Sequence, residues 1–246
     1  MLKDRRVLVT GAAQGNGAAI ARGLAERGAH VILGDIQAEK AIAQAASIRD
    51  AGGSASGIRM DVTDSADCAR AATEVVADGG PIHALVNNAA ILRQGSMDSP
   101  DFETSWSAVL SVNLDGTMRP IRAFLPQLRQ TRGAVVNTAS VAAWFSLGAF
   151  SGYAAAKAGV LALTRSLASE LAADGIRVNA VVPGVFQTEM SSQMAPARQA
   201  YYMTNIAMKR FGDPREIVGP IAFLVSDNAS YVTGVALPVD GGFSIT

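Results

Sequence analysis

Val7-Leu8-Val9-Thr10-Gly11-Ala12-Ala13-Gln14-Gly15-Asn16-Gly17 opens the chain after a short charged lead. The apolar run reads as a buried strand, and the three glycines form a turn that hands the chain to a helix starting near Asn16. Glycine there lets the backbone approach a pyrophosphate, whose charge the N-terminus of the next helix stabilises. Asp35 ends the next apolar run, 20 residues beyond Gly15. A carboxylate at that place can accept hydrogen bonds from both adenosine ribose hydroxyls and repels a 2′-phosphate. No basic side chain replaces it, since position 14 is Gln and position 36 is Ile. The expected cofactor is NAD, with Gly11, Gln14, Gly15, Asn16, Gly17, Asp35 and Ile36 around it.

Past this loop, short Val- and Ile-rich runs alternate with segments of helical period, the pattern of a parallel sheet covered on both faces. Strands are expected at Arg6 to Thr10, His30 to Asp35, Ser54 to Asp61, Ala84 to Asn87, Ala134 to Ala139, Arg177 to Val182 and Val235 to Val239. Helices are expected at Asn16 to Arg27, Ala38 to Ala51, Ser65 to Ala77, a long stretch from Pro100 through Gln130, Ser151 to Ala173, and Pro214 to Val225. The fold class is therefore α/β, a doubly wound seven-stranded parallel sheet in one domain spanning residues 1–246. The Met-rich segment from about 186 to 210 fits neither period and reads as a mobile flap over a site.

Composition narrows the function classes. Of 246 residues 49% are hydrophobic and 17% charged, and 21 basic side chains cancel 21 acidic ones. Without a positive surplus, generic nucleic-acid binding is disfavoured. No apolar run reaches membrane-spanning length, and the run at Val7 to Val9 is too short for a signal-peptide core, so a cytoplasmic protein is expected. Cys68 is the single cysteine, which excludes an intramolecular disulfide and argues against a thiolate metal cluster.

Tyr153 and Lys157 are four residues apart, which places both on one helical face. A tyrosine is too weak an acid to supply a base at neutral pH, and a neighbouring ammonium favours its phenolate. The pair reads as a tuned acid/base.

Taken in order, Thr10 to Gly17, Asp61-Val62, Asn87-Asn88-Ala89-Ala90, Asn113, Ser140, Tyr153-x-x-x-Lys157 and Pro183-Gly184 with Thr188 resemble the short-chain dehydrogenase/reductase family across essentially the whole chain. Asn16 and Ala90 depart from it, since the family more often has Ile and Gly there. The resemblance implies a Rossmann fold and hydride transfer between a secondary alcohol and its ketone. Tyr153 would move the proton, Ser140 orient the substrate oxygen, Lys157 also hold the nicotinamide ribose, and Asn113 hold a relay water. Asp61 and Val62 would flank the adenine, Asn87 and Ala89 the ribose side, and Pro183, Gly184, Val185 and Thr188 the nicotinamide carboxamide. Relatives usually assemble as homotetramers, so one is expected here.

The substrate lining is expected at Leu92, Val141, Ala142, Trp144, Phe145, Phe150, Phe186 and Met190, largely apolar and aromatic. Gln94, Glu189 and Gln193 keep a polyol possible. A 3-oxoacyl carrier-protein reductase is the rival enzyme, opposed by Asp35 and by the lack of a basic surplus. A non-catalytic NAD-sensing module is the rival outside enzymes, opposed by the intact Tyr153 and Lys157.

Overall fold

A computed structural model describes residues 1–145, 148–192 and 194–245, with the side chain of Met190 outside that set. The strands are β1 (Arg6–Thr10), β2 (His30–Asp35), β3 (Ser54–Arg59), β4 (Ala84–Asn87), β5 (Ala134–Thr138), β6 (Arg177–Pro183) and β7 (Ala236–Val239). All pair in parallel in the order β3-β2-β1-β4-β5-β6-β7. The helices are α1 (Gly15–Ala25), α2 (Ala38–Asp50), α3 (Ser65–Ala77), α4 (Phe102–Leu110), α5 (Gly116–Thr131), α6 (Ser151–Leu171), α7 (Glu189–Ser192), α8 (Pro196–Asn205) and α9 (Val218–Val225).

Strand residues alternate between two cores. Val7, Val9, Val86 and Val136 pack with Ile20, Leu24 and Ile221 on one face, whereas Leu8, Leu85 and Val135 pack with Val75, Phe124 and Leu171 on the other. Because both faces are buried, the strands read as unbroken apolar runs, and it is the two-residue side-chain period that assigns each residue its layer. Chain order reverses between β1 and β4, so their C-terminal loops diverge around a crevice, the place where ligands bind in open sheets of this kind.

Two expectations change. The stretch from Pro100 through Gln130 is not one helix, because a π turn at Ser111–Asp115 separates α4 from α5. Fully buried Asn113 sits in that turn, its Oδ1 accepting from the Ile91 N–H (2.8 Å) and its Nδ2 donating to the Ile91 carbonyl (2.9 Å). Widened turns of this type occur where a side chain must be aimed elsewhere. The segment 186–210 is likewise not irregular: it holds α7 and α8, and Pro196 sits in the first turn of α8, where its missing N–H costs nothing.

A buried polar chain crosses the sheet beneath the crevice. Asn87 Nδ2 donates to Asn137 Oδ1 (2.9 Å), Asn137 Nδ2 to Thr164 Oγ1 (3.0 Å), and Thr164 Oγ1 to the Val160 carbonyl (2.7 Å). Asn137→Ala should cost about 1–3 kcal/mol, because it strands a buried donor on Asn87. Urea denaturation checks this, and an unchanged midpoint and slope would contradict it.

Candidate active site

The β1 and β4 loops are fastened to each other at the crevice. Thr10 Oγ1 accepts from the N–H groups of Asn88 (3.0 Å) and Ala89 (3.1 Å), and Asn88 Nδ2 donates to the carbonyls of Thr10 and Gly11, both at 3.1 Å. The backbones come so close that a Cβ on Gly11 (φ +63°) would lie 2.7 Å from Ala89 Cα. One on Gly17 would lie 2.0 Å from the Gly11 carbonyl oxygen, so both positions need glycine.

These loops, with those after β5 and β6, enclose a cavity of about 600 Å³. One end holds Gly11, Gln14, Gly15, Asn16 and Gly17 with Asp35, Ile36, Asp61 and Val62, and Ala89 borders it. Asp35 is braced there: Oδ2 accepts from the Ala13 N–H and Oδ1 from the Gln37 N–H, each at 3.0 Å. The other end holds Ser140, Tyr153, Lys157, Pro183, Gly184, Val185 and Thr188. Among the expected substrate residues, Leu92, Val141, Ala142, Phe145, Phe150 and Phe186 line it too.

Asn87, Asn113, Gln94 and Trp144 do not lie on the cavity wall. Asn87 points into the sheet's polar chain, and its neighbour Asn88 takes the wall position, as alternation along an extended segment requires. Both side-chain groups of Asn113 are hydrogen-bonded to Ile91, so that side chain holds the wall from behind. A 3₁₀ turn over Val141–Ala143 leaves Trp144 exposed outside the cavity while Phe145 lines it, edge-on to Phe243 with ring centroids 6.0 Å apart. Gln193 and the Met190 side chain lie outside the described residues.

Sequence reasoning missed Arg198 and Tyr202, which α8 presents to the cavity one helical turn apart. The Arg198 guanidinium carbon stacks 4.3 Å from the centroid of the Phe150 ring. Pro196 was the signal available, because a proline in this position marks a helix start and hence a defined face.

The candidate catalytic group is built by β5 and α6. Ser140, just past β5, is extended (φ −170°, ψ 156°), and its Oγ accepts from the Ala142 N–H (3.2 Å). It also shares a hydrogen bond with the Tyr153 hydroxyl. Lys157 is 2% exposed, donates to the Thr138 carbonyl (2.7 Å) and lies 5.6 Å from the Tyr153 ring centroid. Burial lowers the Lys157 ammonium to about 8 and raises the Tyr153 hydroxyl above its ordinary value, the bond with Ser140 pulling the other way. Loss of hydration on burial opposes both charged forms, a contribution that the spacing of the two residues does not carry. Cys68 is buried and its thiol pushed up to about 11 by burial, so it is a small apolar packing group.

A nicotinamide dinucleotide fits these residues. Buried Asn16 Oδ1 and Thr138 Oγ1 have no partner on residues that line the cavity, and α1 begins at Gly15 with no side-chain cap. Unpaired buried polar atoms and a bare helix N-terminus are what a polar, anionic ligand satisfies.

Fold and site together define a nicotinamide-dependent oxidoreductase. The profile described as Enoyl-(Acyl carrier protein) reductase matches residues 11–244. Similar proteins include 2,5-dichloro-2,5-cyclohexadiene-1,4-diol dehydrogenase LinX of Sphingobium indicum, 37% identical over 99% of this chain and 98% of the relative. The 3-oxoacyl-[acyl-carrier-protein] reductase FabG of Thermotoga maritima is 37% identical over 99% of both. A crystal structure of a gluconate 5-dehydrogenase from Burkholderia cenocepacia, in complex with NADP and tartrate, superposes with a TM-score of 0.94 and 34% identity, covering 100% of this chain and 97% of that one. The chain belongs to the short-chain dehydrogenase/reductase family.

The depressed Lys157 makes a sign-definite prediction. Between about pH 8 and its unfolded value of 10.5, the folded protein has released a proton that the unfolded chain still holds, so stability rises with pH in that window. Tyr153 opposes only above its unfolded value of 10.0, where the unfolded chain loses a proton first. Denaturation of wild type and Lys157→Met from pH 7 to pH 10 should show the wild type gaining on the variant above about pH 8. Parallel profiles would contradict the buried ammonium.

Proposed function

We propose that the chain is an NAD(H)-dependent dehydrogenase that interconverts a secondary alcohol and its ketone. One observation carries this reading: Ser140, Tyr153 and Lys157 converge on the same cavity as the glycine loop and Asp35. A bound nicotinamide would donate or accept the hydride and, when oxidised, add a positive charge. The chain's own residues handle the proton. With its pKa raised by burial, the Tyr153 hydroxyl holds its proton at neutral pH and can give it to a carbonyl oxygen in the reductive direction. Ser140 orients that oxygen, and fixing the reacting groups in this way accounts for part of the rate. Lys157 uses one donor on Thr138, and its remaining N–H groups suit the ribose hydroxyls.

Asp35 supports NAD over NADP. Lys157 and Arg198 are the only cations on the cavity wall among the described residues, and neither belongs to the adenosine end. A 2′-phosphate there would meet the Asp35 carboxylate with no guanidinium or ammonium to offset it. LinX and the gluconate 5-dehydrogenase are named for substrates with secondary hydroxyls, which favours the reaction class. The FabG relative favours the rival 3-oxoacyl carrier-protein reduction.

Two measurements decide. Tyr153→Phe should keep NADH binding, followed by fluorescence, and lose turnover by roughly two to four orders of magnitude; retained turnover would remove Tyr153 from the chemistry. In a titration with both reduced cofactors, NADH is expected to bind at least about tenfold more tightly than NADPH, a gap of only 1.4 kcal/mol. Tighter NADPH binding would overturn the cofactor assignment and favour the carrier-protein rival.

A further inference from the structure

Arg198 and Glu189 are the charged side chains on the substrate half of the cavity that the reaction just described does not use, and Arg198 is the cation of the two. It is half-buried, and among the described residues its guanidinium has no carboxylate partner and donates no hydrogen bond to protein. Its one described contact is the Phe150 ring, 4.3 Å away, immediately before α6. Stacking on a ring holds a guanidinium by its flat face and leaves its edge N–H donors free. Those donors form a planar fork whose natural partner is a two-oxygen anion. Much of the lining on this side is apolar, with Glu189 exposed on α7; among the described residues no ion pair joins Glu189 to Arg198, so the guanidinium edge stays open to an anion from the substrate. One positive charge matches a monoanion; a phosphate dianion would call for a second cation, and Lys157 is already committed to Thr138.

Placement sets the distance. Tyr202, four residues on, faces the same cavity and lies close enough to Tyr153 to raise its hydroxyl's pKa. Arg198 is one turn of α8 away from Tyr202, a rise of about 5.4 Å. On α8 it is thus Tyr202, and not Arg198, that acts on Tyr153, so a group bound by Arg198 is set apart from the carbon that reacts at Ser140 and Tyr153.

We propose that Arg198 binds a substrate carboxylate, so that the substrate is a hydroxy acid or oxo acid whose carboxylate is set apart from the reacting carbon rather than attached to it. This rests on the dehydrogenase reading above and names the class of substrate that reading left open. The Tyr202 hydroxyl adds a neutral donor beside the same anion.

The probes are 5-hydroxyhexanoate and its neutral isostere 5-hydroxyhexanamide, oxidised with NAD, with 2-hydroxyhexanoate as the distance control. Wild type is expected to prefer the 5-hydroxy acid to its amide. In Arg198→Met the ratio of kcat/KM for acid over amide should fall about 10- to 100-fold, mostly through KM, the range for losing a hydrogen bond to a charged group. Arg198→Lys should retain part of the preference, because it keeps the charge without the fork. An unchanged ratio in Arg198→Met overturns the proposal, as does equal preference for the 2-hydroxy acid. Turnover of the amide alone overturns it while leaving the dehydrogenase standing. Calorimetry of glutarate binding to the NADH-loaded protein needs no turnover at all. Binding weakened by about tenfold or more in Arg198→Met is the expected result, and absent or equal binding overturns the proposal even if no alcohol reacts.

Discussion

Everything at the site depends on how closely two strand ends approach each other. Where β1 and β4 part, Thr10 and Asn88 exchange four hydrogen bonds with the neighbouring loop, and Gly11 touches Ala89 with no room for a side chain between. That knot fixes the first residues of α1 relative to the loop after β4. Since β5 registers directly against β4, it also fixes where Ser140 comes to lie. Had the two loops been held apart by a methyl group, the glycine cradle and the Ser140 and Tyr153 hydroxyls would lie farther apart.

Around this knot the protein buries groups that would be more comfortable in water. Lys157 sits on the inner face of α6 with Ala156, Val160, Leu161 and Thr164, so its ammonium is enclosed because its helix must pack there. The Tyr153 hydroxyl shares that enclosure. Both are thereby pushed toward their uncharged forms, a state that costs stability and keeps a proton on tyrosine. Such opposed displacement of two titratable groups in one cleft is what a site prepared for proton transfer shows, since a structural ion pair would stabilise both charges.

The layered architecture was legible in the sequence because its cause is local: two-residue and helical periods assign Val7, Leu8 and Val9 to alternate cores whatever lies elsewhere. The same holds for the glycine loop, Asp35, Ser140 and the Tyr153/Lys157 spacing. What escaped reading depends on distant partners. Asn113 breaks its helix for the sake of Ile91, 22 residues earlier, and nothing near Asn113 announces this. Asn87 and Asn88 look interchangeable as letters, yet one faces the sheet interior and the other the crevice. Counting charges around Tyr153 also leaves out the burial that raises its pKa, because burial is a property of the folded chain. Arg198 was hidden in a stretch whose Met and Gln content resembled a loop.

The brace on Asp35 constrains substitution at that position. Its two carboxylate oxygens each hold a backbone N–H, one in the glycine loop and one at the entry to α2. The residue proposed to discriminate against a phosphorylated ribose is thus also a fastener between two loops, and exchanging it for a small or basic side chain would loosen the cradle as it altered the charge. Charge and fastening at this position therefore change together in any substitution that removes both acceptor oxygens. Asn, which gives up the charge, keeps an acceptor for only one of the two N–H groups and so leaves half of the fastening.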